Sequence, residues 1–352
     1  MAIYLLNFIS IPIYDLLIKN KKRLVVLVAT QIFLILALRA DTLGVDLENY
    51  KQYYEFYRTL PFSEIIRGFR LVGGSTHDFG VESGYVLFNW LIGKTGASFH
   101  TFLVVYAAIV VGSVSLFIYR YCENPALGFA TFISLGAFVS FFGILRQSLG
   151  LAILLMAIPS LVRRKFWRYL FWVILAGLFH QSLFIAILLY FFAKLKANRA
   201  LYVSVICASL LIPLLTPVIY KKVIFPLLEK LGRYYFITEF EWNNMFAVML
   251  ALALIFMLFF KNSEQEDNSL QCAFLMALPL QALAFHIPIF SRLANAVFLN
   301  FSCAVLPNML SRICGKNQRF QANTVAYIGL FAFYAYTMID SVLVPYLPFW
   351  SV

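Results

Sequence analysis

The sequence predicts an all-α, polytopic integral membrane protein, and three observations carry that expectation. Of 352 residues, 62% are hydrophobic and only 12% charged, with a mean hydropathy of +0.83. A soluble fold of this length would lack the polar residues to cover its surface. The apolar residues also come in runs close to the roughly 20 residues that cross a hydrocarbon core. Finally, the basic residues behind the net charge of +12 stand mainly at the ends of those runs. There they act as topology signals, which removes the nucleic-acid reading that such a charge would otherwise invite.

The runs 2–18, 24–38, 100–119, 126–143, 147–162, 200–219, 244–260, 270–290, 293–311 and 323–340 give about ten spanning helices in a single transmembrane domain, 1–352. The first run has no basic n-region or small-residue cleavage site, so it is expected to be retained. Two segments depart from the pattern. Residues 84–93 (GYVLFNWLIG) are too short to span alone, and 169–193 are interrupted halfway by FHQS. The five cysteines, Cys122, Cys207, Cys272, Cys303 and Cys314, show no paired spacing. Three of them sit within apolar runs and read as small packing residues, so neither disulfides nor a metal site is expected.

Charge decides how 169–193 runs. The basic clusters are KNKKR (19–23), RRKFWR (163–168), KLKANR (194–199) and the Arg312–Arg319 stretch. One crossing by 169–193 would put the last two clusters outside. A dip and return keeps all four inside, as the positive-inside rule prefers. Each arm would then hold about 11–13 residues, roughly 16–20 Å at 1.5 Å per residue, with His180 at the tip. Broken helices of this kind are tolerated where they line a cavity, so one or two re-entrant segments are expected, 169–193 and 84–93. The same orientation leaves 39–83 and 220–243 on the extracytoplasmic side. The cytoplasmic loops, such as KNSEQEDNS (261–269), leave no room for a nucleotide-binding domain, and no GxxxxGK[ST] or GxGxxG occurs.

The candidate functional residues are those a membrane would reject. Arg146 is the single charge in 126–162, and an arginine at the centre of a span costs roughly 2.5–3.5 kcal/mol on insertion scales. Arg292 also stands alone, between two apolar runs, and Arg39 sits at a membrane border. Guanidinium forks match phosphate oxygens and stay charged, which suits an anionic substrate, whereas snorkelling to lipid headgroups is the bland alternative. His180, Asp41 and Asp46 are candidates for the base that accepts a hydroxyl proton, and Glu82 is a further carboxylate beside the short segment. His286, six residues before Arg292, is a weaker candidate. The tyrosines of 50–57 and 234–240 could stack on sugars, but an interfacial aromatic belt accounts for them as well. No HExxH, CxxC or GxSxG is present.

These residues fall within a known pattern. LRADTLGVDLENYKQYYEF (38–56), with Arg39, Asp46 and Tyr50, resembles the opening of EpsG-like and Wzy-type polysaccharide polymerases. ESGYVLFNWLI (82–92), ILRQSLGLAILLMAI (144–158) with Arg146 and Gln147, and LFHQSLFIAILLY (178–190) resemble the segments that follow. IFSRLANAVFL (289–299) and VPYLPFW (344–350) are similar to the closing ones. The resemblance implies a GT-C-like glycosyltransferase in a bacterial inner membrane, acting on the periplasmic side. Its donor and acceptor would be oligosaccharide repeat units linked to undecaprenyl pyrophosphate, built into O-antigen, capsule or exopolysaccharide. Arg146, Arg292 and Arg39 would grip the pyrophosphate, with Tyr50, Glu82, Gln147 and His286 in weaker binding roles. No cofactor, metal or nucleotide is implied; the bilayer is a partner, and a chain-length regulator is a further candidate. Because no carboxylate is placed as a covalent nucleophile, the resemblance is read as an inverting displacement. Two alternatives share the substrate: an O-antigen ligase, and a transporter or flippase for the same lipid.

Overall fold

The computed structural model describes residues 1–76, 79–224, 226, 244–260, 265–339 and 341–351. Among them the regular structure is helical with no strand; a lone bridge pairs Arg39 with Pro348. The helices are α1 (Ala2–Leu17), α2 (Lys21–Ala37), α3 (Leu47–Thr59), α4 (Phe62–Arg67), α5 (Ser83–Gly93) and α6 (Phe99–Tyr121). They continue as α7 (Pro125–Ser134), α8 (Ala137–Gly143), α9 (Leu145–Val162), α10 (Phe166–Gly177), α11 (Ile187–Phe192) and α12 (Arg199–Ile219). The last are α13 (Asn244–Leu258), α14 (Gln265–Leu275), α15 (Ala277–Leu283), α16 (Ile289–Ile313) and α17 (Arg319–Ile339). Side chains of Asn20, Ser98, Asn124 and Asn198 each accept from the backbone N–H three residues on and so fix where α2, α6, α7 and α12 begin.

Among the described residues, four helices are long and apolar enough to cross a membrane: Phe99–Tyr121, Leu145–Val162, Arg199–Lys222 and Arg319–Ile339. Counting two bent pairs as spans raises this to 6. The other expected spans are shorter or divided, and local chemistry explains two divisions. The run 126–143 bends by 54° between α7 and α8, where Gly136 takes φ +98°, a left-handed value that ends helices. The run 270–290 breaks after Leu275 because Pro279 has no N–H for the Leu275 carbonyl and its ring crowds that position. Most of the expected segment 220–243 lies outside the described residues, as do the aromatics of 234–240.

The interrupted segment is a hairpin. α10 ends at Gly177, a 3₁₀ turn covers Gln181–Ala186, and α11 returns. Tyr169 donates to the Ala186 carbonyl at 2.6 Å and Tyr190 to the Arg164 carbonyl at 2.7 Å, so the two arms lie side by side with His180 at the turn. α9 is the most enclosed of the four long helices, packed between α6 and α10, while α16 packs on α7, α14 and α15. α5 lies along α3.

All four basic clusters gather at one end. Lys19, Lys21 and Arg319 line one cavity. Arg312 pairs with Asp267, and the adjacent Asn268 donates to the Leu195 carbonyl at 2.8 Å. Gln265 reaches the Val162 carbonyl at 3.4 Å, next to the cluster that begins at Arg163. From there α9 runs roughly 27 Å, at 1.5 Å per residue, to the end that carries Arg146.

Candidate active site

Two close backbone approaches and one side-chain hydrogen bond assemble the site. Gly44, at φ +144°, sits so near α8 that a Cβ there would lie 2.2 Å from the Phe142 carbonyl oxygen. That contact lays the Gly44–Val45–Asp46 loop on the α8–α9 turn. Gly84 donates its N–H to the Leu178 carbonyl at 2.9 Å, and a Cβ on it would lie 2.8 Å from that oxygen. The start of α5 is thereby pinned to the tip of the hairpin. The third is the α9–α16 contact, where Gln147 Nε2 donates to the Arg292 carbonyl at 3.0 Å.

Glu82 is the hub. It occupies the N-cap position of α5 without capping it by a side-chain bond. Its Oε2 instead accepts from Arg146 at 2.6 Å. Its Oε1 accepts the Gln181 N–H at 3.3 Å and lies 3.3 Å from His180 Nδ1, close but outside hydrogen-bond alignment. Burial pushes the Glu82 carboxyl up, but the neighbouring His180 and Arg146 outweigh it and hold the group below its usual range. The N-terminus of α5 favours the same negative charge. Arg146 also reaches Tyr50 in α3; burial pushes the Tyr50 phenol up, and the guanidinium and its hydrogen bond pull part of the way back. Tyr50 stacks edge-on to Tyr85, centroids 5.8 Å apart. Asp46, the exposed N-cap of α3 at φ 64°, acts electrostatically on the same tyrosine.

Beside this array, between α8, α9 and α16, is a cavity of about 160 Å³. Gln147 and Ser148 from the first turn of α9 line it, with Arg292, Asn295 and Asn300 from α16. The start of α9 therefore presents N–H groups to the cavity, an arrangement suited to an anion, whereas the Phe290 and Ser291 N–H groups of α16 are bonded to the Ile287 and Pro288 carbonyls.

Of the residues singled out in the sequence, Arg146, His180, Glu82 and Tyr50 come together with Asp46 at their edge, and Gln147 and Arg292 share the cavity. Three do not join them. Arg39 is fully enclosed: it donates to the Phe141 carbonyl at 3.1 Å and lies over the Phe142 and Tyr106 rings at 4.9 and 5.9 Å. Expected to grip pyrophosphate, it has no face open to one in this conformation. Asp41 is held by Lys51 at 2.7 Å. His286 is buried with Nε2 3.0 Å from the Pro213 carbonyl oxygen, which ties α12 to the α15–α16 connection. Asn295 and Asn300 were missed, although Ser291, Arg292, Asn295 and Asn300 form a polar stripe at near-helical spacing in an otherwise apolar run. Among the described residues, no three His, Cys, Asp or Glu side chains are grouped as metal ligands.

Fold and site together define a multi-pass helical membrane protein with a cationic, imidazole-bearing site at one end of its helices. The chain matches the EpsG family model over residues 22–349 and belongs to the EpsG family. That membership gives it a polysaccharide-polymerase type of function, glycosyltransferase-like in general terms. Searches of curated proteins and of solved structures return no match.

Proposed function

We propose that the protein is a membrane glycosyltransferase that polymerises undecaprenyl-pyrophosphate-linked oligosaccharide repeat units on the extracytoplasmic side of a bacterial inner membrane. The observation that carries this is Glu82 held between Arg146 at 2.6 Å and His180 at 3.3 Å. A carboxylate facing Nδ1 favours the proton there and leaves Nε2 as the base. His180 Nε2 takes the proton of the acceptor sugar hydroxyl while its oxygen bonds to the donor's anomeric carbon. The bond from that carbon to the phosphate oxygen breaks, and undecaprenyl pyrophosphate leaves with the electron pair. Arg146 and Arg292, with the N–H groups at the start of α9, stabilise the charge developing on the leaving group. Glu82 is nearly closed off and already paired, so it orients His180 and is no covalent nucleophile, which supports inversion without a glycosyl-enzyme.

The same reading takes the helices as about ten crossings with re-entrant segments in a GT-C-like arrangement. The positive-inside rule puts the end with four basic clusters in the cytoplasm and the site outside. The test is direct: purified protein in detergent, synthetic undecaprenyl-pyrophosphate repeat unit, no nucleotide, with and without EDTA. A ladder of products insensitive to EDTA is expected. A verified substrate that is bound but never extended would overturn the polymerase reading in favour of ligation or transport.

A further inference from the structure

The cavity beside Arg292 is chemically graded. Arg292 is exposed and Asn300 is 4% exposed, so the cavity runs inward along α16. The eight-residue step from one to the other spans at most about 12 Å. The outer end offers donors: the Arg292 guanidinium and the first-turn N–H groups of α9, those of Phe290 and Ser291 in α16 being bonded to the Ile287 and Pro288 carbonyls. The inner end offers acceptors. The side-chain carbonyl oxygens of Asn295 and Asn300 are buried with no hydrogen-bond partner, and the Asn300 orientation is set because its amide donates to the Ala296 carbonyl at 2.8 Å. Ile144, Leu151 and Ala296 supply apolar wall. A volume of about 160 Å³ equals roughly five waters at ~30 Å³ each, comparable to one sugar ring.

Resting on the reading above, we propose that this cavity binds the sugar residue joined directly to the pyrophosphate. A phosphate only accepts, and so belongs at the outer, donor-rich end. A hydroxyl-bearing or acetamido-bearing ring donates, and so belongs at the inner end against Asn295 and Asn300. The two asparagines then select the first sugar of the repeat unit, while Arg292 holds whatever pyrophosphate follows it.

The experiment uses the full-length protein in detergent and four probes. They are undecaprenyl pyrophosphate alone and the same lipid carrying one glucose, one galactose or one N-acetylglucosamine. The wild type is expected to bind at least one sugar-bearing lipid about tenfold more tightly than the bare lipid, the scale of one or two hydrogen bonds to neutral groups. Asn300→Leu and the milder Asn295→Ser should erase that advantage and leave the bare lipid within about twofold. Arg292→Gln should weaken all four probes. Thermal melting of each variant separates lost contacts from lost folding, and Asn295→Ser keeps the test open if Asn300→Leu does not fold. No sugar advantage in the wild type, or equal weakening of the bare lipid by the asparagine variants, overturns the cavity assignment even if polymer still forms. Failure to bind any of the four removes the proposed function together with it.

Discussion

Glu82 and Arg39 show how differently two charged residues at the same end of the molecule are employed. Glu82 is paired yet borders the site, so Glu82→Gln should separate chemistry from binding. Without the carboxylate His180 loses its orienting partner, and kcat is expected to fall roughly 10²–10⁴-fold, the range of general-base contributions. Arg146 loses its ion pair, so affinity for the lipid pyrophosphate should hold or tighten; equal losses in kcat and affinity would sink the orienting role. The pH dependence has a definite sign. The folded Glu82 carboxyl lies below its usual range, so its stabilisation is fully present at neutral pH. It is lost as pH falls through the ordinary value of about 4.3 towards the depressed folded one. Glu82→Gln should flatten that acid limb in thermal unfolding. Arg39, enclosed by Phe142, Tyr106 and the Phe141 carbonyl, should behave in the opposite way. Arg39→Ala is expected to cost about 2–5 kcal/mol of stability, as large buried-to-Ala changes do, while protein that still folds binds lipid pyrophosphate as before.

At the scale of elements, helices and their breaks were legible to different degrees. The apolar runs mark most helices, and the polar FHQS interruption marks the hairpin, because both are properties of composition over several residues. The bend at Gly136 and the break before Pro279 depend on one residue's backbone, and a hydropathy run passes over them. Arg146 and His180 were legible because each is a lone polar group in apolar sequence. Glu82 was visible as a carboxylate, but its place between them rests on a contact across 64 and 98 residues of chain (146 − 82 and 180 − 82). Such a contact leaves no local signal; Gly84 is its closest trace. A Cβ at Gly84 would lie 2.8 Å from both the Leu178 Cβ and its carbonyl oxygen, and the backbone oxygen cannot move aside as a side chain would. Gly84→Ala should therefore push α5 off the hairpin and shift Glu82 away from His180. The expected loss in kcat is about 10²-fold, the scale of a 1 Å misplacement, with lipid binding nearly retained. Product ladders of wild-type length from this variant would show that the approach does not matter.

For the whole molecule, the end that carries the basic clusters and the end that carries the site make a testable statement about topology. Lys165 and Lys196 flank the hairpin, and Asn317 follows α16; all three are exposed, at the basic end. Thr59 and Lys94 are exposed at the other end, where a Cβ on Gly93 would meet Arg58 and Tyr54 donates to the Ala97 carbonyl at 2.8 Å. Single cysteines at these five positions, in a chain whose five native cysteines are replaced by Ser or Ala, can be probed with a membrane-impermeant maleimide on intact spheroplasts. Thr59→Cys and Lys94→Cys should label at once, and the other three only after lysis. The pair at 165 and 196 carries the most information. The hairpin bonds of Tyr169 and Tyr190 require both positions to report the same side, whichever side that is. Labelling from opposite sides would mean that 166–192 crosses the membrane and that the hairpin is absent in the bilayer, leaving His180 without the turn that presents it to Glu82. Labelling of 165, 196 and 317 together from outside would keep the hairpin and invert the protein. The site would then face the cytoplasm, and the proposed extracytoplasmic polymerisation would have to be given up while the Arg146–Glu82–His180 geometry stood.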